Sequence, residues 1–402
     1  MTETAFTFPT GKRPGPFDPP DVFASIREQH PLTPMTFADG HEGWLACSHR
    51  IVRKILADDR FSNRRELMHL PVDRDISKKR QPSEPGMFIR MDPPEHTRYR
   101  RLLIAQFTVH RIRQLEPKIS AVVRSCLDAM ERSGPPVDLV EEFAVPIPSA
   151  VICDLLGIPE SERAEFQRAM GVAVDLNTKQ ADLIEAFITM QSLFPPLIAS
   201  KRARPTDDFY SDLINNSDLT DEELTNIGFM LFGAGFETTA NMLGLGTFAL
   251  LEHPAQVAAL RQDPSLIDST VEELLRYLTI IHIGPMRAAL EDVDIEGVTI
   301  KKGQVVCMSL AAANRDPACF DDPDSLDITR YARAGKRNMG HLAFGHGIHQ
   351  CLGQQLARAE MRLAFPALFE RFPGLRLALP PEEVPTRQAA VIYGVQRLPV
   401  TW

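Results

Sequence analysis

The sequence predicts a mainly α-helical protein with a minor β-sheet region. Three observations carry this. From Pro94 to about Ala199, apolar residues recur at helical spacing, with breaks at GPPVD and GIPESER. A second helical run begins near Thr220, passes through IGFMLFGAGFETTANMLGLGTFALLEH and stops at His253-Pro254. Strand-like alternation with glycine turns is concentrated in RAALEDVDIEGVTIKKGQVVCMSLAA.

Taken in order, the first twenty residues are rich in Pro and Gly and are expected to lie extended on the surface. GWLACSHRIVRKILADDRFS reads as a short strand around Trp44 to Cys47, then a helix from about Ser48. Ser48 suits an N-cap, and Ile51, Ile55 and Leu56 mark an apolar face. Residues 66–90 hold three prolines and no clean period, so they form a long loop of the kind that carries function. Thr220 is an N-cap, and Glu223 completes a capping box. Beyond its first turns this run is apolar on nearly every side, so the helix passes through the middle of the protein. STVEELLRYL forms another helix. The last, GQQLARAEMRLAFPALFERF, contains Pro366, which should kink it or remove one backbone hydrogen bond.

Composition narrows the function. The net charge of −9 argues against a nucleic-acid binder. Six cysteines in 402 residues, none in a CxxC pair, indicate a reducing compartment rather than a disulfide scaffold. MTETAFTFPTGKRPGPFDPP has no apolar run, and no later stretch reaches the ~18 uninterrupted apolar residues of a membrane helix. The expectation is a soluble, cytoplasmic protein.

The chemistry concentrates in FGHGIHQCLG, Phe344 to Gly353. Three readings compete there. His346, His349 and Cys351 supply three zinc-type donors and His341 a candidate fourth, although no paired cysteine motif closes the site. A glycine-rich turn with an inert cysteine is the plain alternative. The third reading is a thiolate-bound, flat metal cofactor. Cys351 sits where the next helix begins, and a helix N-terminus favours a thiolate. Gly345, Gly347 and Gly353 allow backbone to approach a flat object. Phe344 offers a ring to shield the sulfur, and His349 a polar group for a carboxylate. Together these describe haem with a cysteine axial ligand.

The pattern Phe344-x-x-Gly347-x-His349-x-Cys351-x-Gly353 resembles the cysteine-loop signature of the cytochrome P-450 haem-thiolate monooxygenases. Four further matches follow in the expected order. Glu273-Leu-Leu-Arg276, with Arg330 in LDITRY, resembles the family's structural triad behind the haem. AGFETT, Ala234 to Thr239, resembles the distal stretch of the long helix. There Ala234 and Gly235 leave room, with a local widening of the helix at Gly235, while Thr238 and Glu237 serve proton delivery. Many members carry Asp at the Glu237 position. His96 and Arg100 in DPPEHTRYRR, Arg287 in GPMRAAL and His349 match the family's propionate-binding set. The cofactor-contacting residues are therefore His96, Arg100, Arg287, His349, Phe344, Gly345 and Ala234. Cys351 is the iron ligand.

The resemblance covers almost the whole chain and is nearest to soluble actinobacterial members of secondary metabolism, including antibiotic biosynthesis. It implies one triangular domain over residues 1–402, haem b as cofactor, and insertion of one oxygen atom from O2 into an unactivated C–H bond. Hydroxylation or epoxidation of a polyketide, macrolide or terpenoid follows. The implied pocket draws on the 66–90 loop, helices around 165–195, Ala234, residues 279–286 and Val391-Ile392. Met190, Leu193, Ile280, Ile281 and Ile283 illustrate its apolar character. A ferredoxin and an NAD(P)H-dependent ferredoxin reductase are the implied electron donors, with Arg358 and Arg362 as candidate docking cations on a monomer. A haem protein that binds a gas or carries electrons is the alternative, but it has no need of the Glu237-Thr238 pair.

Overall fold

The computed structural model describes residues 6–402 apart from 10–12, 73–80, 175–179, 335–339 and 389. The early elements are α1 (Val22–Gln29), the hairpin β1 (Leu32–Thr36) and β2 (Glu42–Ala46), α2 (His49–Leu56) and β3 (Phe61–Ser62). Ser48 caps α2 by accepting from the Ile51 N–H, as its sequence position predicts. The helical tract then resolves into α3 (Glu95–Ile104), α4 (Val109–Ser133), α5 (Pro146–Leu156), α6 (Glu160–Val174), α7 (Gln180–Ser192), α8 (Phe194–Ala203) and α9 (Phe209–Asn216). Breaks fall at both predicted points, and others separate α3 from α4 and α7 from α8. A two-residue strand, β4 (Val137–Asp138), fills the first, and Gly157 in the left-handed region ends α5 at the second.

The central element is α10 (Asp221–Glu252). Its 32 residues span about 48 Å. The Thr220 hydroxyl accepts from the Glu223 N–H while the Glu223 carboxylate accepts from the Thr220 N–H, so the predicted capping box is complete. The helix is buried along most of its length and packs against α5, α8, α12 (Ile267–Leu278) and α15 (Gln354–Arg371). Helix α15 runs through Pro366 without a break, and α11 (Pro254–Gln262) follows directly on His253. The large apolar core joins these helices.

A five-stranded sheet, ordered β1-β2-β8-β5-β3, flanks the helices, with β5 at Met286–Ala289 and β8 at Val305–Met308. Among the described residues, only β2 and β8 pair in parallel. Between β5 and β8, β6 (Val293–Ile295) and β7 (Val298–Ile300) form a hairpin. Two short helices follow, α13 (Leu310–Ala313) and α14 (Arg330–Ala334). The strands β9 (Arg376–Leu377) and β10 (Pro399–Thr401) join β4 in a three-stranded sheet.

The N-terminal segment departs from expectation. Residues 1–5 and 10–12 lie outside the described residues, but Phe8, Arg13 and Phe17 are buried rather than on the surface. The Phe17 ring meets Phe248 of α10 at 4.8 Å, and the Arg13 guanidinium stacks 3.6 Å over the Tyr393 ring. Aromatic burial and stacking outweigh the loop-like composition.

Candidate active site

Beneath the cysteine loop lies a buried charge network. Glu273 and Arg276 on α12 are fully buried and joined by two hydrogen bonds of 2.8 Å. Arg330 adds contacts of 3.0 and 3.1 Å to the same carboxylate. Arg276 also donates to the Asn314 carbonyl at 3.0 Å. The Asn314 side-chain oxygen accepts from the Leu342 N–H at 2.7 Å, at the start of the cysteine loop. The triad thus reaches the loop through one asparagine.

The loop folds back on itself. The Cys351 N–H donates to the Phe344 carbonyl at 2.9 Å, and the Gly345 N–H to Leu342 at 2.8 Å. Gly345 and Gly347 both adopt positive φ, +70° and +73°. Their surroundings differ. A Cβ on Gly345 would meet open space, whereas one on Gly347 would collide with the Leu56 carbonyl of α2. Gly347 therefore packs closely against α2.

Cys351 precedes the first turn of α15 and is exposed, yet protein surrounds it, so its thiol faces an internal space. Burial pushes the thiol up, only partly offset by the Gly353 and Gln354 N–H groups and by Arg100 and Arg358. A metal bound at the sulfur would favour the thiolate. Zinc is excluded among the described residues, where no three His, Cys, Asp or Glu groups converge as ligands. His341 Nε2 contacts Glu272 at 3.1 Å instead, and the His349 ring packs on His96.

Arg358 and Arg362 also differ from expectation. Arg358 stacks 4.6 Å over the Phe344 ring and makes paired contacts of 2.5 and 3.0 Å with Glu272. Arg362 contacts Glu116 at 3.5 Å and Asp268 at 3.4 Å. Both charges are already matched by carboxylates, so neither offers an unpartnered docking cation.

The structure brings His96, Arg100, Arg287 and His349 together. His96 on α3 is buried with both ring nitrogens unpartnered, and its ring lies 4.2 Å from that of His349. Burial, then Arg100, hold His96 down at about 4, with Arg287 adding to the effect. Burial and Arg287 press His349 to about 2. Arg287, buried on β5, is itself lowered to about 10 by desolvation and donates to Asn63 Oδ1 at 2.9 Å. Arg100 donates to the Gln350 carbonyl at 2.6 Å, next to Cys351. Buried basic groups that depress one another are costly unless an anion joins them. A cavity of about 600 Å³ opens alongside, bordered by Arg64, Arg90, Asp92, Arg287, Ile348 and His349. Asn63 was not singled out from the sequence; the two-residue β3 beside β5 brings it here, where its N–H donates to Asp92 at 2.8 Å.

On α10, Ala234 is exposed although Phe232 and Phe236 on either side are buried. The mid-helix therefore borders an internal opening. Thr238 Oγ1 donates back to the Ala234 carbonyl at 2.8 Å. Glu237 accepts from Arg387 at 2.8 Å, a partner that the sequence did not indicate. The helix shows no local widening at Gly235, which instead faces Ile152 of α5.

Ile281 bridges Ile392, and the Tyr393 N–H donates to the Ile280 carbonyl at 2.7 Å. Met190 and Ile280, however, are buried in the main core, and Ile283 packs beside the β-sheet cluster. Leu193 is partly buried against the core. On α7, Ile184, Phe187 and Ile188 are exposed. Residues 73–80 of the long loop and 175–179 of the helical wall lie outside the described residues.

The family profile described as "Cytochrome P450" matches residues 198–391. The chain is 47% identical over 404 residues to "Cytochrome P450 105C1" of Streptomyces sp, covering 100% of both chains. It is 42% identical to "Pentalenic acid synthase" of Streptomyces avermitilis, over 96% of this chain and 95% of that one. A crystal structure of CYP105P1 in complex with filipin I matches with a TM-score of 0.91 and 44% identity, covering 99% of each chain. The chain belongs to the cytochrome P450 family. It is a haem-dependent monooxygenase with that family's fold, and its cofactor is haem b. The residues present fit that group: both His96 ring nitrogens are unpartnered, Arg100 and Arg287 donate to neutral oxygens, Gly345 opens onto space, and Cys351 faces inward. No helix among the described residues is long and apolar enough to cross a membrane.

Proposed function

We propose that this chain oxidises a mid-sized apolar natural product, a polyketide, macrolide or terpenoid, by hydroxylation or epoxidation. The observation that carries the site assignment is the buried basic cluster beside the inward-facing Cys351. A named relative makes pentalenic acid, and a structural neighbour holds filipin I, which supports the substrate class.

Haem b, when bound, activates O2, so that one atom enters the substrate and the other leaves as water after two electrons and two protons are consumed. Cys351 would hold the iron through its thiolate. Phe344 covers the sulfur side, and Gly345 leaves room for the macrocycle. His96, Arg100, Arg287 and His349 would hold the cofactor's carboxylates. Ala234 keeps the opposite side open. Glu237 would take up protons from the solvent side, and Thr238 would pass them on into the space beside Ala234.

The whole chain acts as one domain, as a cytoplasmic monomer. Electrons come from a ferredoxin and its NAD(P)H-dependent reductase. The test offers the purified protein filipin I and cyclic terpenoid acids, with a surrogate ferredoxin system and isotopically labelled O2. A product carrying one labelled oxygen is expected. Unlabelled product, or no product from either class, overturns the reading. Thr238→Ala should divert NAD(P)H to hydrogen peroxide, and unchanged coupling would remove Thr238 from the mechanism.

A further inference from the structure

Glu237 and Asn241 lie one turn apart on α10 and share a face. Arg387 reaches both. One guanidinium nitrogen donates to the Glu237 carboxylate at 2.8 Å and the other to Asn241 Oδ1 at 3.3 Å. The Asn241 side-chain amide closes the ring by donating to the Glu237 carbonyl at 2.8 Å. The pair is largely sheltered, with side-chain exposures of 11% for Arg387 and 31% for Glu237. A forked guanidinium bridging two acceptors fixes the carboxylate's direction as well as its charge partner.

Arg387 belongs to the C-terminal segment that also carries Val391 and Ile392, two residues expected at the substrate pocket. Its N–H donates to the Gly394 carbonyl at 2.8 Å, and Thr386 bridges Val395. Gly394 rests so closely on α10 that a Cβ would collide with Asn241. On its other side the turn is bonded to residues 280–282, through Tyr393 N–H to Ile280 and His282 N–H to Val391 at 2.9 Å. One short segment therefore connects the wall at Ile281 and Ile392 to the acid on α10.

We propose that Arg387 is the positioning residue for Glu237, coupling the pocket wall to the proton path. Neighbouring helical residues project about 100° apart, so the carboxylate and the Thr238 hydroxyl do not share a direction by default. Arg387 sets where the carboxylate stands. A substrate pressing on Ile392 and Ile281 shifts the turn and with it the guanidinium. The inference rests on the reading that Glu237 and Thr238 move protons.

The test needs no organic substrate. The holoenzyme, reduced through a surrogate ferredoxin system, consumes O2, and the ratio of NAD(P)H to O2 shows whether peroxide or water forms. Arg387→Met should raise the peroxide share several-fold and abolish the solvent deuterium isotope effect. Arg387→Lys, which keeps the charge but not the fork, should fall between. In a Glu237→Gln background, Arg387→Met should add nothing. Thermal midpoint and haem content separate this from a packing defect. Loss of stability with an unchanged peroxide share and isotope effect overturns the proposal, as does additivity with Glu237→Gln. If Glu237→Gln alone leaves the peroxide share unchanged, the acid's role fails and this inference with it. An impaired Glu237→Gln beside an unaffected Arg387→Met sinks the inference alone.

Discussion

The rings of His96 and His349 lie 4.2 Å apart at a tilt of 47°, and neither His96 nitrogen has a hydrogen-bond partner. One ring comes from α3 and the other from the turn before Cys351, with Arg100 and Arg287 beside them. Four basic groups converge where burial already opposes positive charge. The arrangement makes sense as a seat for two carboxylates.

Removing one of these groups should loosen the cofactor without dismantling the fold. A charge-assisted hydrogen bond is worth about 1.5–3 kcal/mol, so Arg287→Met should weaken haem retention roughly 10- to 100-fold. The rate of haem transfer to an acceptor protein measures this. An unchanged rate would take Arg287 out of the cofactor site.

Gly347→Ala should damage the cysteine loop although no ligand role is assigned to Gly347. The backbone sits at φ +73°, and the added methyl meets the Leu56 carbonyl. The cost is about 1–3 kcal/mol. Lower haem content and a lower thermal midpoint are expected. Gly353→Ala has open space and ordinary φ, so it serves as the control.

Glu273→Ala leaves Arg276 buried without its carboxylate and takes from Arg330 the same partner. Breaking a buried pair from one side costs about 3–5 kcal/mol. Because Arg276 also holds the Asn314 carbonyl, the loss should propagate to Leu342 and the loop. Denaturant unfolding with parallel measurement of haem content checks both parts. Normal stability would contradict the network.

Acid should loosen the loop through Glu272. Burial raises this carboxyl, but hydrogen bonds from His341 and Arg358 outweigh it and bring the group from 4.5 down to about 2. A depressed acid contributes stability above its unfolded value, and that contribution is lost as pH falls from about 4.5 toward 2. The amount is on the order of 2–3 kcal/mol. Glu272→Gln should lower stability at neutral pH and flatten the acid side of the profile. A wild-type profile that matches the variant's would show that the network does not matter.

The residues that carry the site were legible because short motifs fix their spacing. His96 and Arg100 sit one turn apart on a helix, and Glu273 and Arg276 three residues apart on another, so local periodicity places each pair. Glu223 completed its cap for the same reason. Arg387 escaped because its partner lies 150 residues away and its own segment has no period. Asn63 depended on a two-residue strand. The burial of Phe17 and Arg13 reflects aromatic contacts across the fold, while their neighbours read as an ordinary Pro/Gly-rich tail. Met190 and Ile280 look alike as pocket or core, since an apolar side chain does not say which side of a wall it faces.

The central claim is that Cys351 binds the iron through its thiolate. The most direct measurement is the absorption spectrum of the reduced protein with carbon monoxide, compared with that of Cys351→His. The wild type should show a Soret band shifted far to the red, and the variant should lose that shift while keeping haem. A red-shifted band that survives in Cys351→His would mean that another residue is the ligand.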